Sequence, residues 1–163
     1  MSESYSKSIA DAVKNTLTAD EWNFDFDEDN GLFRLGVKAK GPFNSLDIVI
    51  GVRDTDYVTY VVPPVAADPN DSSTLAAIAE FFCRANCNIS YGNFDLDFND
   101  GEIKYRAFVD CNGIIPTDDM ILASVYVPIS VFERYAPGIA AVLFGSANPE
   151  EQIQKCEAAE EEE

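Results

Sequence analysis

Two stretches of the chain carry aspartates at a spacing that could bind a metal ion. The string NFDFDEDNG begins at Asn23, and NFDLDFNDG begins at Asn93. Each combines an asparagine, a phenylalanine, two alternating aspartates and a final glycine. Carboxylate oxygens at such short intervals are ligands that Ca²⁺ prefers, so either stretch is a candidate calcium loop.

Both stretches fail the pattern of a helix–loop–helix calcium site. Such a loop needs glycine at its sixth position and a bidentate glutamate at its twelfth. Counting from Asp25 puts Asn30 at position six and Gly36 at position twelve. The second stretch lacks the same two residues, and Arg106 stands where its main ligand belongs.

A pair of β-hairpins explains the same residues better. Alternation sends the phenylalanines to one face of a strand and the aspartates to the other. Asn-Gly and Asp-Gly supply the positive backbone angles of tight strand connections. Arg34 and Lys38 after the first turn, and Lys104 and Arg106 after the second, have the parity that faces the aspartates. Each cross-strand ion pair contributes about 0.2–1 kcal/mol, and the pattern favours hairpins over a weak cation site.

Other catalytic chemistry has few candidate residues. The chain contains no histidine, so Ser-His and Cys-His catalysis lack their base. Cys83 and Cys87 are four apart on a predicted helix, at the edge of its apolar face. A zinc site needs a second ligand pair, so the pair is interpreted as small buried hydrophobes. Asp118 and Asp119 follow Thr117 as first-turn acids of another helix, where the helix dipole favours them. The sequence therefore predicts no catalytic residue, no cofactor-binding residue and no metal ligand.

Composition limits the partners and the location of the protein. A chain of 163 residues with 47% apolar content is long enough for one core. Its net charge of −18 repels phosphate backbones and anionic membranes, so neither nucleic acid nor membrane is expected as a partner. No apolar run reaches the length of a signal peptide or of a spanning helix. These features predict a cytoplasmic protein.

Hydrophobic periodicity predicts the order α-β-β-β-β-α-β-β-α. Apolar residues at helical spacing mark helices at 4–18 and 74–89 and a third from 117 onward, in which Pro128 and Pro137 should each cause a break or kink. Strands are predicted at 22–27, 32–39, 46–52 and 57–62, then at the second aspartate stretch and at 102–109. Because short turns join neighbouring strands, the expected fold class is α+β, with one antiparallel sheet and helices packed on one face.

The predicted organisation is a single domain at residues 1–145. Residues 146–163 begin with turn formers and continue with a run of acids. Since this segment has few apolar side chains to bury, it is predicted to be a disordered acidic tail.

The later half of the chain resembles a known family. The strings FFCRANCNISYGNFDLDFNDGEIKYRAFVD and VFERYAPGIAAVLFG, from residues 81–145, are similar to the YbjN family of bacterial sensory-transduction regulators. LDIVIGV and VTYVVPP extend the resemblance more loosely into the first half. It implies a fold like that of type III secretion chaperones, which pair as dimers and bind partner polypeptides, and it supplies no catalytic motif.

The expected function is a non-enzymatic binding or regulatory module. It would be chaperone-like and act through protein–protein contacts in bacterial signalling or stress regulation. Two alternatives stay open: an enzyme that uses carboxylates and a divalent metal, and a structural subunit of a larger assembly.

Four residues are predicted to form a partner surface. The strand at 46–52 sends Val49 to the face opposite its other branched side chains. If residues 58, 60 and 62 of the next strand point inward, Tyr57 and Val61 point outward beside Val49, and Phe108 shares that parity. An apolar centre on a solvated face is typical of a contact surface for a second copy or a client polypeptide. The alternatives are scattered surface hydrophobes, or coverage by the linker PPVAADP.

Overall fold

The computed structural model of the chain describes residues 4–158. The helices are α1 (Lys7–Ala19), α2 (Ser72–Asn86), α3 (Asp118–Gly145) and α4 (Pro149–Ala158). The strands are β1 (Phe24–Asp27), β2 (Leu32–Lys38), β3 (Ser45–Val52), β4 (Asp56–Val62), β5 (Asn93–Leu96) and β6 (Ile103–Asp110). The predicted order of elements is confirmed through α3, and α4 is added to it.

All six strands form one antiparallel sheet with the order β1-β2-β3-β4-β6-β5. Short turns join the first four strands in sequence, which makes neighbours antiparallel. Helix α2 carries the chain from β4 to the far edge, where β5 forms and β6 returns beside β4. The α+β fold with one antiparallel sheet is therefore confirmed, whereas its likeness to type III secretion chaperones stays a prediction.

The helices pack on a single face of this sheet. Ser6, Asp71 and Thr117 cap α1, α2 and α3 by accepting a hydrogen bond from the backbone amide three residues onward. Helix α3 lies on β4 and β6, with α1 and α2 beside it. The fully buried residues that the sheet contributes to this core include Phe33, Leu46, Ile48, Ile50, Tyr57, Val61, Ile103 and Tyr105.

Helix α3 continues through both of its prolines. Pro128 and Pro137, expected to break or kink the segment, lie inside one uninterrupted helix. A proline within a helix costs about 3 kcal/mol. Since burying one large apolar side chain contributes about 1.5–3 kcal/mol, fully buried residues such as Phe132 and Ile139 offset that cost.

Helix α3 is also the one helix among residues 4–158 that is long and apolar enough to cross a membrane. Its residues Ile121, Val125 and Phe132 are instead fully buried in the core of the protein. This is the position of a core helix in a soluble protein, and a core helix meets the same criterion of length and composition.

The prediction that residues 146–163 form a disordered tail is wrong for most of this segment. Residues 149–158 form α4, which packs against α2 and α3 and buries Pro149, Ile153 and Cys156. The Asn148 side-chain oxygen accepts a hydrogen bond of 3.1 Å from the amide of Glu151 and so caps the helix. Residues 159–163 of the predicted tail lie outside the described residues.

Composition conceals α4 because only three of its side chains are buried and most of the others are polar. Two local signals indicate it nevertheless. Asn148 and Pro149 followed by two glutamates is a typical helix start. Ile153 and Cys156 then stand three apart, which places them on one face of a helix.

We expect loss of α4 to destabilise the protein. Truncation after Asn148 exposes the surfaces of α2 and α3 that α4 covers, and should lower the melting temperature clearly. Truncation after Ala158, the matched control, removes only residues outside the described chain and should leave it unchanged. Ile153→Ala in the full chain should cost about 2–5 kcal/mol of unfolding free energy in urea titration. Equal melting of both truncated chains would contradict the docked position of α4.

Candidate functional site

The aspartate stretches form the turns of two hairpins. Asp27 Oδ1 accepts hydrogen bonds from the amides of Asp29 and Asn30, at 3.1 and 3.2 Å. In the second turn, Asp97 Oδ1 accepts from the Asn99 amide at 2.8 Å and from its side chain at 2.9 Å. These side chains hold their own backbone in tight turns, as aspartate and asparagine do in many loops.

Hydrogen bonds within the first turn also lower the pKa of one carboxyl group, that of Asp27. The Asn30 side-chain amide donates to Asp27 Oδ2 at 2.9 Å. This bond, followed by those from the backbone amides, lowers the pKa of Asp27 below its ordinary value.

Across the strands, Asp25 and Asp95 face cations. Asp25 is the cross-strand neighbour of Arg34, and Asp95 Oδ2 lies 3.2 Å from Arg106 Nε. Among residues 4–158, no group of three or more histidine, cysteine, aspartate or glutamate side chains lies close enough to hold a metal ion.

The cysteines divide into two kinds. Cys111 and Cys156 are buried, and burial raises the pKa of both thiols. Cys83 and Cys87 are exposed on the last turns of α2, so they are not the small buried hydrophobes that their position beside its apolar face suggests.

The sheet face opposite the helices is the candidate functional surface, and is called the open face below. Within residues 4–158, no helix packs on it. Cross-strand neighbours form a continuous row across it: Asp25, Arg34, Val49, Tyr60, Arg106 and Asn93.

The centre of the open face is apolar. Val49, Tyr60 and Val62 are half-buried, Val58 is buried, and Phe108 exposes 56% of its surface. Val49 pairs with Tyr60 and Val58 with Phe108, so side chains of three adjacent strands form this patch. Apolar patches on a folded chain are common at contact surfaces, which makes this patch the candidate site.

Of the four predicted partner-surface residues, Val49 and Phe108 lie on the open face, and Tyr57 and Val61 do not. Tyr57 and Val61 are fully buried on the helix side. The Tyr57 hydroxyl donates a hydrogen bond of 2.9 Å to Ser124 Oγ of α3. Burial raises the pKa of this phenol above its ordinary value. The predicted outward direction of Tyr57 and Val61 is therefore wrong.

The alternation of β4 could not reveal its direction because both of its faces are apolar. Thr59 is the one polar side chain in its middle, and a threonine favours the solvated face. The structure buries Thr59 completely, with no hydrogen-bond partner for its hydroxyl. Pairing with β3 decides the direction, since Ile48 and Ile50 on the core face stand opposite Val61 and Thr59.

Cations flank the apolar centre. Lys104 Nζ lies 5.4 Å from the ring centre of Tyr60 and 2.7 Å from Glu102 Oε1. The hydrogen bond to Glu102 is the main cause of a raised Lys104 pKa. Arg53 lies over the ring of Phe108 at 6.0 Å. These contacts hold cationic groups at the rim, where they stay half-exposed around an apolar centre.

Two cavities open on this face. One of about 430 Å³ is lined by Arg53, Val58, Tyr60, Gly92, Asn93, Arg106 and Phe108. A second of about 390 Å³ is lined by Asn23, Phe24, Asp25, Arg34, Leu35, Gly36 and Asp47. No residue of the linker at 63–71 lines either cavity. The linker is held instead at the β5–β6 turn, where the Ala67 amide donates to Gly101 O at 2.9 Å.

No protein-family model and no curated protein matches this chain. The resemblance to the YbjN family therefore stays a prediction that rests on the quoted strings.

The direction of β4 predicts a difference between two tyrosines. Tyr57→Phe removes a buried hydrogen bond to Ser124 and should lower the unfolding free energy by about 1 kcal/mol. Tyr60→Phe is the matched control on the same strand and should change it little, since no side chain of residues 4–158 bonds its hydroxyl. Urea denaturation of both variants measures the difference. The opposite ranking would contradict the register of β4.

We expect no specific divalent-ion site at either aspartate turn. The turn amides already occupy oxygens of Asp27 and Asp97. Calorimetric titration with calcium, magnesium and manganese should show no stoichiometric binding below about 1 mM, the weak limit of calcium modules. A micromolar site that Asp27→Asn or Asp97→Asn removes would contradict the hairpin interpretation.

Proposed function

We propose that the chain is a non-enzymatic, chaperone-like binding module that regulates a partner protein through its open face. The observation that carries this proposal is the apolar centre formed by Val49, Val58, Tyr60 and Phe108 on the uncovered side of the sheet. An antiparallel sheet with one solvated face normally alternates apolar and polar residues. Here the solvated side of β4 is apolar as well, and Val49 of β3 and Phe108 of β6 extend it, which gives a second chain something to bury.

The composition of the open face supports a protein as the partner. Tyrosine, phenylalanine and arginine are among the residue types that are enriched at the cores of protein interfaces. Tyr60, Phe108, Arg34 and Arg106 provide them within one row or its neighbour. The rim of charged residues around an apolar centre is the usual arrangement of such interfaces.

Overall charge favours a different protein over a second copy. Two chains would each bring a net charge of −18, and their repulsion opposes a homodimer at low salt. The same charge disfavours nucleic acid and anionic membrane as partners. The resemblance to the YbjN family supports a regulatory role in the bacterial cytoplasm, in signalling or in the response to stress.

The two alternative functions have less support. A carboxylate- and metal-dependent enzyme needs acids that converge, and within residues 4–158 none form a group suited to a metal. A structural subunit would use the same open face, but its partner would be bound permanently.

Site-specific crosslinking tests the proposal. A photoreactive residue placed at Val49 should give one discrete protein adduct in the native cytoplasm. The matched control places the same group at Phe144, an apolar side chain of α3 that is 67% exposed. Adding Tyr60→Glu to the Val49 probe should abolish the adduct, because a carboxylate desolvates poorly in an apolar interface. The melting temperature should change little, since this glutamate would face Lys104 and Arg106.

The outcomes separate the candidates. A Val49 adduct with a different protein supports the proposal, and an adduct with a second copy supports a homodimer, which sedimentation measures independently. Equal labelling from Val49 and Phe144, or no adduct from either, would contradict a dedicated contact surface on the open face.

A further inference from the structure

Strand β6 is longer than the strand that covers its outer edge. Pairing with β5 ends at Asn93, opposite Arg106, whereas β6 continues to Asp110. Its inner edge is paired with β4 along this whole length, as far as Asp56 opposite Asp110. Within residues 4–158, the last four residues of β6, Ala107–Asp110, therefore have no strand neighbour on the outer side.

The backbone groups on that side can be assigned by alternation. Adjacent residues of a strand direct their amides to opposite neighbours. The Cys111 amide donates to Thr55 O at 2.9 Å, on the β4 side. Residues two apart share a direction, so the amides of Phe108 and Asp110 point to the outer side. An exposed row of this kind is a template for one more strand.

Gly92 explains why β5 stops where it does. Its φ of +89° lies outside the extended region of a strand, and a Cβ there would lie 2.3 Å from Arg106 O, so the regular pairing does not continue through this residue. The preceding residue, Tyr91, is held on the helix side by a hydrogen bond from the Tyr105 hydroxyl to its carbonyl. Pairing with β5 therefore covers β6 only as far as Arg106, and the end of β6 has no strand partner on its outer side within residues 4–158.

A cavity lies on each side of this uncovered edge. The open-face cavity of about 430 Å³ includes Asn93, Arg106 and Phe108. On the helix side, a cleft of about 450 Å³ is lined by Tyr91, Phe108, Val109, Asp110, Asp119, Met120 and Ala123. Because the side chains of a strand alternate between faces, an added strand would place successive residues in the two cavities.

The two cavities prefer different side chains. The cleft is apolar apart from the carboxylates Asp110 and Asp119, which suits the long apolar stem and cationic head of lysine or arginine. The open-face cavity contains the guanidinium groups of Arg53 and Arg106, which suit a carboxylate. Each arginine has one carboxylate neighbour, Asp56 or Asp95, and a guanidinium has further donors to offer.

We propose that the outer edge of β6 at Ala107–Asp110 binds an extended polypeptide segment in which basic and acidic residues alternate, as a seventh strand of the sheet. This inference rests on the proposed function in one respect, that the chain acts by binding a protein. It concerns the backbone edge of β6, which adjoins the open face and shares Phe108 and one cavity with it. The alternating segment is close to neutral, so the charge of the whole chain does not repel it.

Hydrogen exchange with a defined peptide tests the proposal. The probe is a blocked peptide of about eight residues, within the usual length of a strand, with lysine and glutamate alternating. Its matched control has the same length and composition in the order Lys-Lys-Glu-Glu, which places both charges on both faces. In the unbound protein, the amides of Phe108 and Asp110 should exchange quickly and that of Val109 slowly. The alternating peptide at about 1 mM should slow the hydrogen exchange of the Phe108 and Asp110 amides. The control peptide should bind at least about tenfold more weakly.

Two variants connect the effect to the edge. Phe108→Pro removes the outward amide without disturbing the bonds to β4, and edge positions tolerate proline. It should abolish peptide binding, whereas Phe108→Ala, which keeps the amide, should weaken it less. Asp119→Asn leaves the strand unchanged. It should weaken binding of the alternating peptide more than binding of the control peptide.

The opposing results are equally definite. Unchanged exchange at Phe108 and Asp110 with the peptide present, or equal binding of the two peptides, would overturn the proposal. So would binding that survives Phe108→Pro in a folded variant. Binding lost with Val49→Lys but retained with Phe108→Pro would assign the peptide to the open face. Failure of the edge is thereby distinguished from failure of the proposed function.

Discussion

The burial of one sheet face beneath the helices is the constraint on which the other features of this protein depend. Because side chains alternate along each strand, covering one face fixes the direction of every residue in six paired strands. The Tyr57–Ser124 hydrogen bond between β4 and α3 is one fixed point of that arrangement. A slip of one residue at β4 would bring Val58 and Tyr60 into the core and expose Tyr57.

The same constraint leaves the open face with residues that the core does not need. Strand β4 is apolar on both sides, so satisfying the core still leaves Val58, Tyr60 and Val62 on the other side. Such a strand is usual where both faces of a sheet are covered. Among residues 4–158, helices cover only one face, and the apolar centre between Arg34 and Arg106 is the result.

The aspartates, which first suggest metal chemistry, are explained by the same alternation of side chains between the two faces of the sheet. Their alternation with phenylalanine keeps aromatic rings such as Phe94 in the core while the carboxylates face solvent and cations. At the turns, Asp27 and Asp97 bond their own backbone. The unequal lengths of β5 and β6 then come from a single glycine, Gly92, whose backbone conformation ends the pairing early. Local chemistry at the turns therefore sets which edges and faces are exposed.

The sequence by itself determined the element order, the antiparallel connections and the outward direction of Val49 and Phe108, since strict alternation and turn residues act over a few neighbouring positions. Only the tertiary structure decided the direction of β4 and the position of α4. Residues 57–62 are apolar in both parities, and the one polar residue among them, Thr59, lies in the core although threonine favours solvent. Only the pairing of β4 with Ile48 and Ile50 of β3 decides which of its faces points inward. Helix α4 buries few side chains, and its stability comes from packing on α3, which precedes it, and on α2, which is far from it in sequence.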